Sequence, residues 1–213
     1  MKRTVLQLVI ASFLLSAGAR AQDGWVSLFN GKDLKGWKPY GAEKWVVENG
    51  EILGEQVTKE YGYLGTEKNY KDFELTLKFK CEGNGNSGVF YHSSLEGVNI
   101  KGVQVEIEPR PRMKECPGPE PGGTCTGGLY ESSGRGWMIK PTQEAEKAMK
   151  RAEWNEMRVL VKGARTQSWV NGVSAVDYTD ATPKYLDGIL ALQLHSGGEG
   201  RMRFKDIKVR EIR

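Results

Sequence analysis

Apolar and polar residues alternate with a period of two along much of the chain. In residues 73–80, Phe, Leu, Leu and Phe alternate with Glu, Thr, Lys and Lys, and residues 156–161 repeat this pattern. Because successive side chains of a strand point to opposite faces, both segments are predicted strands with one buried face. Residues 165–178 are predicted to form a hairpin with a type I′ turn at Asn171-Gly172. Further strands are predicted at Trp25–Phe29, Trp45–Val47, Ser87–Ser93, Ile189–His195 and Arg201–Val209.

One segment has the composition of a helix. Thr142 to Arg151 is rich in Ala, Glu, Lys and Met, and it directly follows Pro141. About ten or more short strands with Gly-rich turns, together with one short helix, predict an all-β sandwich or barrel. No internal repeat or low-complexity linker divides the sequence, so we expect a single domain over residues 22–213.

Two predicted strands carry an unusual polar face. In Gly102–Glu108, Val and Ile alternate with Gln and Glu, and in Ile189–His195, Leu alternates with Ala, Gln and His. The apolar residues are predicted to lie between two sheets: Val103, Val105, Ile107, Leu190, Leu192 and Leu194. The polar residues are predicted to share one site on the opposite face: Gln104, Glu106, Gln193 and His195.

Such a polar face suits a sugar. The hydroxyls of a sugar need hydrogen-bond partners once they leave water, and amides, a carboxylate and an imidazole supply both donors and acceptors. The alternative is the ordinary solvated face of an antiparallel strand. Solvated faces favour Lys, Thr and Glu, as residues 74–80 illustrate, whereas this face has Gln and His without Lys.

A Gly-rich loop supplies two aromatic candidates. Tyr130 and Trp137 lie in residues 126–137, where they could either stack on a sugar ring or cap the end of the fold. His92 follows an Asn/Gly-rich turn, and it is either a ligand-binding residue or a surface histidine. The sequence contains no G-x-S-x-G elbow, P-loop or H-E-x-x-H motif.

The N-terminus has the features of a signal peptide. Lys2 and Arg3 precede a mostly apolar stretch over residues 5–17, and Ala19-Arg20-Ala21 fits the small-x-small cleavage pattern. We therefore predict cleavage after residue 21 and a periplasmic or secreted protein; an uncleaved anchor is the alternative. Without this leader, 28 basic residues face 27 acidic ones, a formal charge of +1. This balance indicates neither a nucleic acid partner nor an anionic membrane.

The cysteines suit an oxidising compartment. Cys116 and Cys125 flank a Pro/Gly-rich loop that can be neither a helix nor a central strand. A disulfide between them is predicted, and it would stabilise the fold by about 2–3 kcal/mol. Cys81 is then predicted to be free and buried, and the spacing resembles no zinc motif.

Several short motifs occur together in a recognisable order. They resemble the 3-keto-disaccharide hydrolase domain family, formerly a domain of unknown function, and they cover nearly all of residues 22–213. The motifs are Leu28–Trp37, Asn86–Phe90, Gly102–Ile107, Thr126–Tyr130, Glu153–Asn155, Val170–Val173 and Ala191–Gly197. The resemblance implies a concanavalin-like jelly roll of two antiparallel sheets, export, and action on 3-keto-glycosides.

Such a substrate permits an unusual route. A ketone at C3 makes the C2 proton acidic, so a single base can trigger loss of the aglycone from C1, and water can add back later. This route needs a base, an acid for the leaving group and a group that stabilises the enolate oxygen. Glu106 and His195 are the predicted catalytic residues. The predicted substrate-binding residues are Gln104, Gln193, His92, Tyr130, Glu131 and Trp137.

Three points stay open at this stage. A divalent ion could polarise the ketone, with Glu106, His195 and Glu131 as an open ligand set. An ordinary glycosidase would instead pair Glu106 with Glu108 or Glu131 as its two carboxylates. A carbohydrate-binding module without activity is the third possibility.

Overall fold

The computed structural model describes residues 24–109 and 125–212, which form an almost entirely β structure. Within these ranges the elements follow in chain order as β1 (Val26–Ser27), β2 (Trp37–Tyr40), β3 (Lys44–Glu48), β4 (Glu51–Glu55), β5 (Gly62–Tyr70), β6 (Phe73–Cys81), β7 (Ser87–Glu96), β8 (Asn99–Ile107), β9 (Leu129–Ser132), β10 (Gly136–Ile139), α1 (Gln143–Ala148), β11 (Asn155–Lys162), β12 (Arg165–Val170), β13 (Val173–Thr179), β14 (Gly188–Leu194) and β15 (Arg201–Glu211).

The strands form two antiparallel sheets. The first sheet has the order β13-β12-β11-β6-β15-β4-β3, with β1 paired to β15. The second sheet has the order β10-β9-β8-β7-β14-β5-β2. Strands β8 and β14, which carry the unusual polar faces, are both neighbours of β7 in the second sheet. The predicted jelly-roll sandwich of two antiparallel sheets with one short helix is confirmed.

The core lies between the sheets, as the alternation predicts. All six predicted apolar residues of β8 and β14 are buried in one cluster with Phe73, Phe79 and Phe204 of the first sheet. The alternate residues of the second sheet therefore point away from the core, and a smaller apolar cluster forms on that outer face. It contains Tyr63, Phe90, Ile100 and Ala191.

The hairpin of β12 and β13 has the predicted turn. Val170 pairs with Val173, so Asn171 and Gly172 are the two turn residues. Their φ angles of 50° and 81° are both positive, which a type I′ turn requires and which Asn and Gly tolerate best. The Asn171 side chain also donates to the Ala148 carbonyl at 2.7 Å, which ties the hairpin to the end of α1.

The helix is shorter than predicted. Helix α1 spans only Gln143–Ala148, with Thr142 as N-cap accepting from the Ala145 N–H at 3.3 Å. The backbone becomes extended at Met149. The amide side chain of Asn155 then bonds both the N–H and the carbonyl of Lys150, each at 2.7 Å. These tertiary bonds outweigh the helix propensity of residues 149–151.

Cys81 and Cys125 are in the predicted states, the first a free buried thiol and the second disulfide-bonded. Cys81 is a free thiol, 3% exposed, and burial raises its pKa to about 12. Cys125 takes part in a disulfide. Its predicted partner, Cys116, lies outside the described residues, as does the predicted signal peptide over residues 1–21.

Candidate functional site

A cavity of about 440 Å³ opens on the outer face of the second sheet. Strands β8 and β14 supply its floor, because their apolar residues face the core and leave their polar residues on this side. Six of the eight predicted site residues line the cavity: Gln104, Glu106, Tyr130, Trp137, Gln193 and His195. We call Gln104, Glu106, Glu108 and Gln193 the polar floor.

Glu106 is the central residue of the polar floor. It is 6% exposed, and it accepts hydrogen bonds from Nδ2 of Asn86 and, at 3.1 Å, from Nε2 of Gln104. Burial raises the pKa of Glu106 to about 8; the Asn86 hydrogen bond opposes this shift, and the nearby Glu108 adds to it. A carboxyl with a pKa near neutrality can both take and give a proton at the working pH.

The rest of the polar floor is held by hydrogen bonds. Nε2 of Gln104 lies 3.2 Å from the Ser87 carbonyl and 3.4 Å from Oε1 of Gln193. Gln193 also bonds the hydroxyl of Tyr63, whose pKa burial raises to about 12. These three bonds join β8 to β7, β8 to β14 and β14 to β5. The two amides are therefore held in place before a ligand binds.

A glycine makes room for this arrangement. Gly88 of β7 lies directly opposite Glu106 in the register of β7 and β8. A Cβ atom at this position would come within 2.3 Å of Nε2 of Gln104. Any other residue at position 88 would therefore displace the amide that holds Glu106.

His195 follows the end of β14 at the rim of the cavity. Its Nε2 lies 3.2 Å from the hydroxyl of Tyr61, and its Nδ1 lies 3.0 Å from the Ser196 carbonyl. Both ring nitrogens of His195 therefore have a polar partner, which holds the imidazole in one orientation. The backbone N–H of His195 donates to the Asn86 carbonyl at 3.1 Å, which joins the rim to the floor.

Two aromatic residues form a wall of the cavity. Tyr130 and Trp137 lie opposite each other on β9 and β10, with ring centroids 5.5 Å apart and planes at 82°. Both are only half-buried, and Nζ of Lys140 lies 3.6 Å from the centroid of Trp137. Exposed aromatic faces of this kind can stack on the apolar face of a sugar ring.

Two predicted site residues lie elsewhere. His92 has a φ of 47° at a bulge in β7, and it is 3% exposed. Its ring nitrogens lie 3.1 Å from the Tyr185 carbonyl and 2.6 Å from the Lys71 carbonyl. His92 therefore bonds two loops outside the cavity and does not line it, although it was a predicted substrate-binding residue.

Glu131 is the second residue that does not line the cavity. It follows Tyr130 on β9 and so points to the opposite face of the strand. Its carboxylate accepts from Nε of Arg135 at 2.6 Å and lies 3.2 Å from Nζ of Lys184. Burial raises the pKa of Glu131, but the Arg135 and Lys184 contacts outweigh it and hold the pKa below its ordinary value.

The anticipated metal ligand set is not formed. Glu131 points away from the cavity, so it cannot join Glu106 and His195. Within residues 24–109 and 125–212, no group of three or more His, Cys, Asp or Glu side chains is arranged to hold a metal ion. The pairing of Glu131 with Glu106 as two carboxylates of an ordinary glycosidase fails for the same geometric reason.

Several residues of the cavity are not among the predicted ones, and three of these bond predicted site residues: Asn86, Tyr61 and Tyr63. Asn86, in the Asn/Gly-rich turn before β7, bonds both Glu106 and, at 3.1 Å, Glu108. Tyr61 and Tyr63 also line the cavity. Their spacing of two at the start of β5 was the available signal, because it places both rings on one face; the rings are stacked with centroids 6.3 Å apart.

Fold and cavity together define a jelly-roll sandwich with a buried acid in a polar, aromatic-walled site. The family model described as 3-keto-alpha-glucoside-1,2-lyase-like domain matches residues 24–210, and the chain belongs to this family. A curated relative from Bacteroides thetaiotaomicron, named 3-keto-disaccharide hydrolase, is 24% identical over 187 residues. That match covers 78% of this chain but only 62% of the relative.

Solved structures support the fold. A structure from Parabacteroides distasonis, described as a proposed glycosyl hydrolase, has a TM-score of 0.67 and 24% identity, and the match covers 89% of this chain and 94% of that one. A Bacillus subtilis protein of unknown function with a galectin-like fold has a TM-score of 0.64 and 13% identity. In that case the match covers 82% of this chain and 89% of the other.

Proposed function

We propose that this protein cleaves the glycosidic bond of 3-keto-glycosides and that Glu106 removes the proton from C2 of the keto sugar. The observation that carries this proposal is the buried carboxyl of Glu106, with its pKa raised to about 8, in the floor of a polar cavity. The names of the family and of the curated relative support the choice of a 3-keto sugar.

The reaction balances with one base and one acid. Glu106 takes the C2 proton, and the electron pair of that bond passes into the enolate of the C3 ketone. The enolate then forms the C1–C2 double bond, the bond from C1 to the aglycone oxygen breaks, and the aglycone takes up a proton. Water can later add across the double bond to give the free 3-keto sugar. No oxocarbenium ion is needed, so a second carboxylate need not stabilise one.

Glu106 suits the part of the base better than His195. A carboxylate with an ordinary pKa is a weak base, and burial makes Glu106 stronger by disfavouring its ionised form. The hydrogen bonds from Asn86 and Gln104 keep the carboxylate correctly oriented while it waits for the substrate.

His195 is the proposed acid for the leaving group. It lies at the cavity rim, where the hydroxyl of Tyr61 is within hydrogen-bond distance of its Nε2.

Gln104 and Gln193 are proposed to bind sugar hydroxyls, and Tyr130 and Trp137 to stack on the sugar ring.

Export completes the proposal. Residues 1–21 are proposed to act as a cleaved signal peptide, which would place the enzyme in the periplasm or outside the cell. In the part of the chain that the structure describes, no helix is long and apolar enough to cross a membrane.

The test compares two substrates with the same aglycone. Purified protein is incubated with a chromogenic 3-keto-glucoside and with the corresponding plain glucoside, and aglycone release is followed. We expect release from the keto sugar alone. Exchange of the C2 proton with deuterated solvent is then measured, because the elimination route must break that bond, whereas direct displacement at C1 need not.

Other outcomes would replace the proposal. Release from the plain glucoside would identify an ordinary glycosidase, and Glu108 would be the candidate second carboxylate. Binding of the keto sugar without release would identify a carbohydrate-binding module. If the protein neither binds nor cleaves the keto sugar, 3-keto-glycosides are excluded as its substrates.

A further inference from the structure

The cavity has an aromatic pair at each end. Tyr130 and Trp137 come from β9 and β10, whereas Tyr61 directly precedes β5 and Tyr63 lies within it. In the second sheet, β8, β7 and β14 separate β9 from β5. Four strand spacings of about 4.8 Å place β9 and β5 about 19 Å apart. The cavity therefore extends across five strands, and its volume of about 440 Å³ suits a ligand larger than one sugar ring.

The proposed base and the proposed acid lie towards different ends. Glu106 is on β8, which pairs directly with β9, the strand of Tyr130. His195 directly follows β14, which pairs with β5, and its Nε2 lies 3.2 Å from the hydroxyl of Tyr61. Strand β7 separates β8 from β14. The base is therefore displaced towards Tyr130, and the acid is displaced towards Tyr61.

The tip of the β7–β8 hairpin bounds the cavity beside Tyr61. Val98, Asn99 and Ile100 of this tip line the cavity. Val98 and Tyr61 pack against the outer apolar cluster, to which Tyr63 and Ile100 belong. Aromatic and aliphatic side chains suit the apolar face of a ring, and the exposed Asn99 can bond a hydroxyl. This part of the cavity therefore has the composition of a second ring-binding subsite.

We propose that the keto sugar lies beside Trp137 and that the opposite end, at Tyr61 and Val98, is a subsite for an aglycone that is itself a six-membered ring. This inference rests on the proposed function and adds the position and the shape of the leaving group. Glu106 reacts at C2, and the aglycone oxygen is on the adjacent C1. The aglycone therefore extends from the keto sugar towards His195, the acid that protonates it. A second sugar and a phenol both present a ring with an apolar face.

The test uses three 3-keto-glucosides that differ only in the aglycone, which is methyl, nitrophenyl or glucosyl. The methyl group is too small to fill the subsite, whereas the other two aglycones present a ring. We measure kcat/KM for the wild type, Val98→Ala and Trp137→Ala. Each variant is compared with the wild type on the same substrate, so the intrinsic reactivity of each leaving group cancels.

The matched control is Val57→Ala, because Val57 is 60% exposed and does not line the cavity. Thermal melts show whether each variant is folded. Val98→Thr keeps the shape of the side chain and adds a hydroxyl, so it provides a second measurement if Val98→Ala does not fold.

We expect Val98→Ala to lower kcat/KM for the two ring aglycones about three- to tenfold more than for the methyl aglycone, the effect of one or two buried methylene groups. Trp137→Ala should lower kcat/KM by a similar factor for all three substrates, because they carry the same keto sugar. Val57→Ala should match the wild type. A selective loss in Val98→Ala for one ring aglycone alone supports the inference and identifies that aglycone as the source of the ring.

Two results would overturn the inference. One is an equal loss for all three substrates, or no loss, in Val98→Ala. The other is the reverse pattern, in which Trp137→Ala is selective for the ring aglycones, because this would place the keto sugar beside Tyr61. Either result leaves the proposed function intact, since the wild type still releases the aglycones. A wild type that releases none of the three aglycones would overturn the proposed function together with this inference.

Discussion

The hydroxyl of Tyr61 lies 3.2 Å from Nε2 of His195, and the two rings pack edge to face with centroids 4.7 Å apart. Tyr61 directly precedes β5 and His195 directly follows β14, so the contact joins the ends of two paired strands at the cavity rim. Because Nδ1 of His195 lies 3.0 Å from the Ser196 carbonyl, the Tyr61 contact completes a pair of bonds that holds the imidazole in one orientation.

Removing the Tyr61 hydroxyl should therefore lower activity without unfolding the protein. Tyr61→Phe keeps the ring and its packing on His195 but frees the orientation of the imidazole. We expect kcat to fall about tenfold or more, with a smaller change in KM and an unchanged melting temperature. Tyr178→Phe, in strand β13 of the other sheet, is the control and should match the wild type. Equal activity of both variants would exclude Tyr61 from the mechanism.

Glu106→Gln and His195→Ala should each abolish turnover while the fold persists. Losing a general base or acid commonly lowers the rate by about 10²–10⁴-fold. Glu106→Gln keeps the shape of the side chain and removes a buried ionisable group, so its melting temperature should be equal to or above that of the wild type. Aglycone release and thermal melts measure the two effects. A normally melting variant with near wild-type release would remove that residue from the site.

The stability of the wild type should fall between about pH 5 and pH 8. The pKa of Glu106 is raised from 4.5 to about 8 in the folded protein, so in this window the folded state holds a proton that the unfolded chain has released. The stability that the proton on Glu106 provides is fully present below the pKa of Glu106 in the unfolded chain. It is lost as the pH rises through the pKa of Glu106 in the folded protein, by at most about 1.4 kcal/mol per pH unit.

Urea denaturation over this pH range measures the effect. Glu106→Gln has no such proton to release, so its stability should change less with pH than that of the wild type. Parallel curves for the two proteins would contradict the raised pKa of Glu106. Aglycone release should show the opposite trend over this range, because the base works only when it is ionised: kcat/KM should rise as the pH approaches about 8.

Arg135 should matter for stability and not for turnover. It bonds the buried Glu131 and forms a two-pronged contact with Asp180, with Nη1 2.9 Å from Oδ1. Arg135→Ala would leave Glu131 buried with less compensation, so the free energy of unfolding should fall by about 1–3 kcal/mol.

The matched control for this prediction is Arg165→Ala. Arg165 forms a similar pair with Asp177, but both residues are exposed, so the free energy of unfolding should change much less in Arg165→Ala than in Arg135→Ala. If kcat/KM per folded molecule also fell in Arg135→Ala, the ion pairs of Glu131 would contribute to the site. Equal stability losses in the two variants would show that burial of Glu131 has no energetic weight.

The alternation of residues was enough to predict the sandwich and most of the polar floor. Val103, Val105 and Ile107 had to face one way and Gln104 and Glu106 the other, because strand geometry offers two faces and burial favours the apolar one. The same rule could have corrected one error. Tyr130 and Glu131 are consecutive residues of a strand, so they could not both line the cavity.

The order of residues along the chain was thus enough to predict the two-sheet fold, the polar face of β8 and β14, and the family to which the chain belongs. Only the packing of the strands against one another brings residues from turns and strand ends into contact with that polar face. Asn86 lies between Glu106 and Glu108, and Tyr61 lies beside His195, because of strand pairing between segments 20 to 134 residues apart. His92 does not line the cavity, because a bulge in β7 turns its side chain away. Periodicity describes one strand at a time, whereas these contacts depend on how several strands come together in three dimensions.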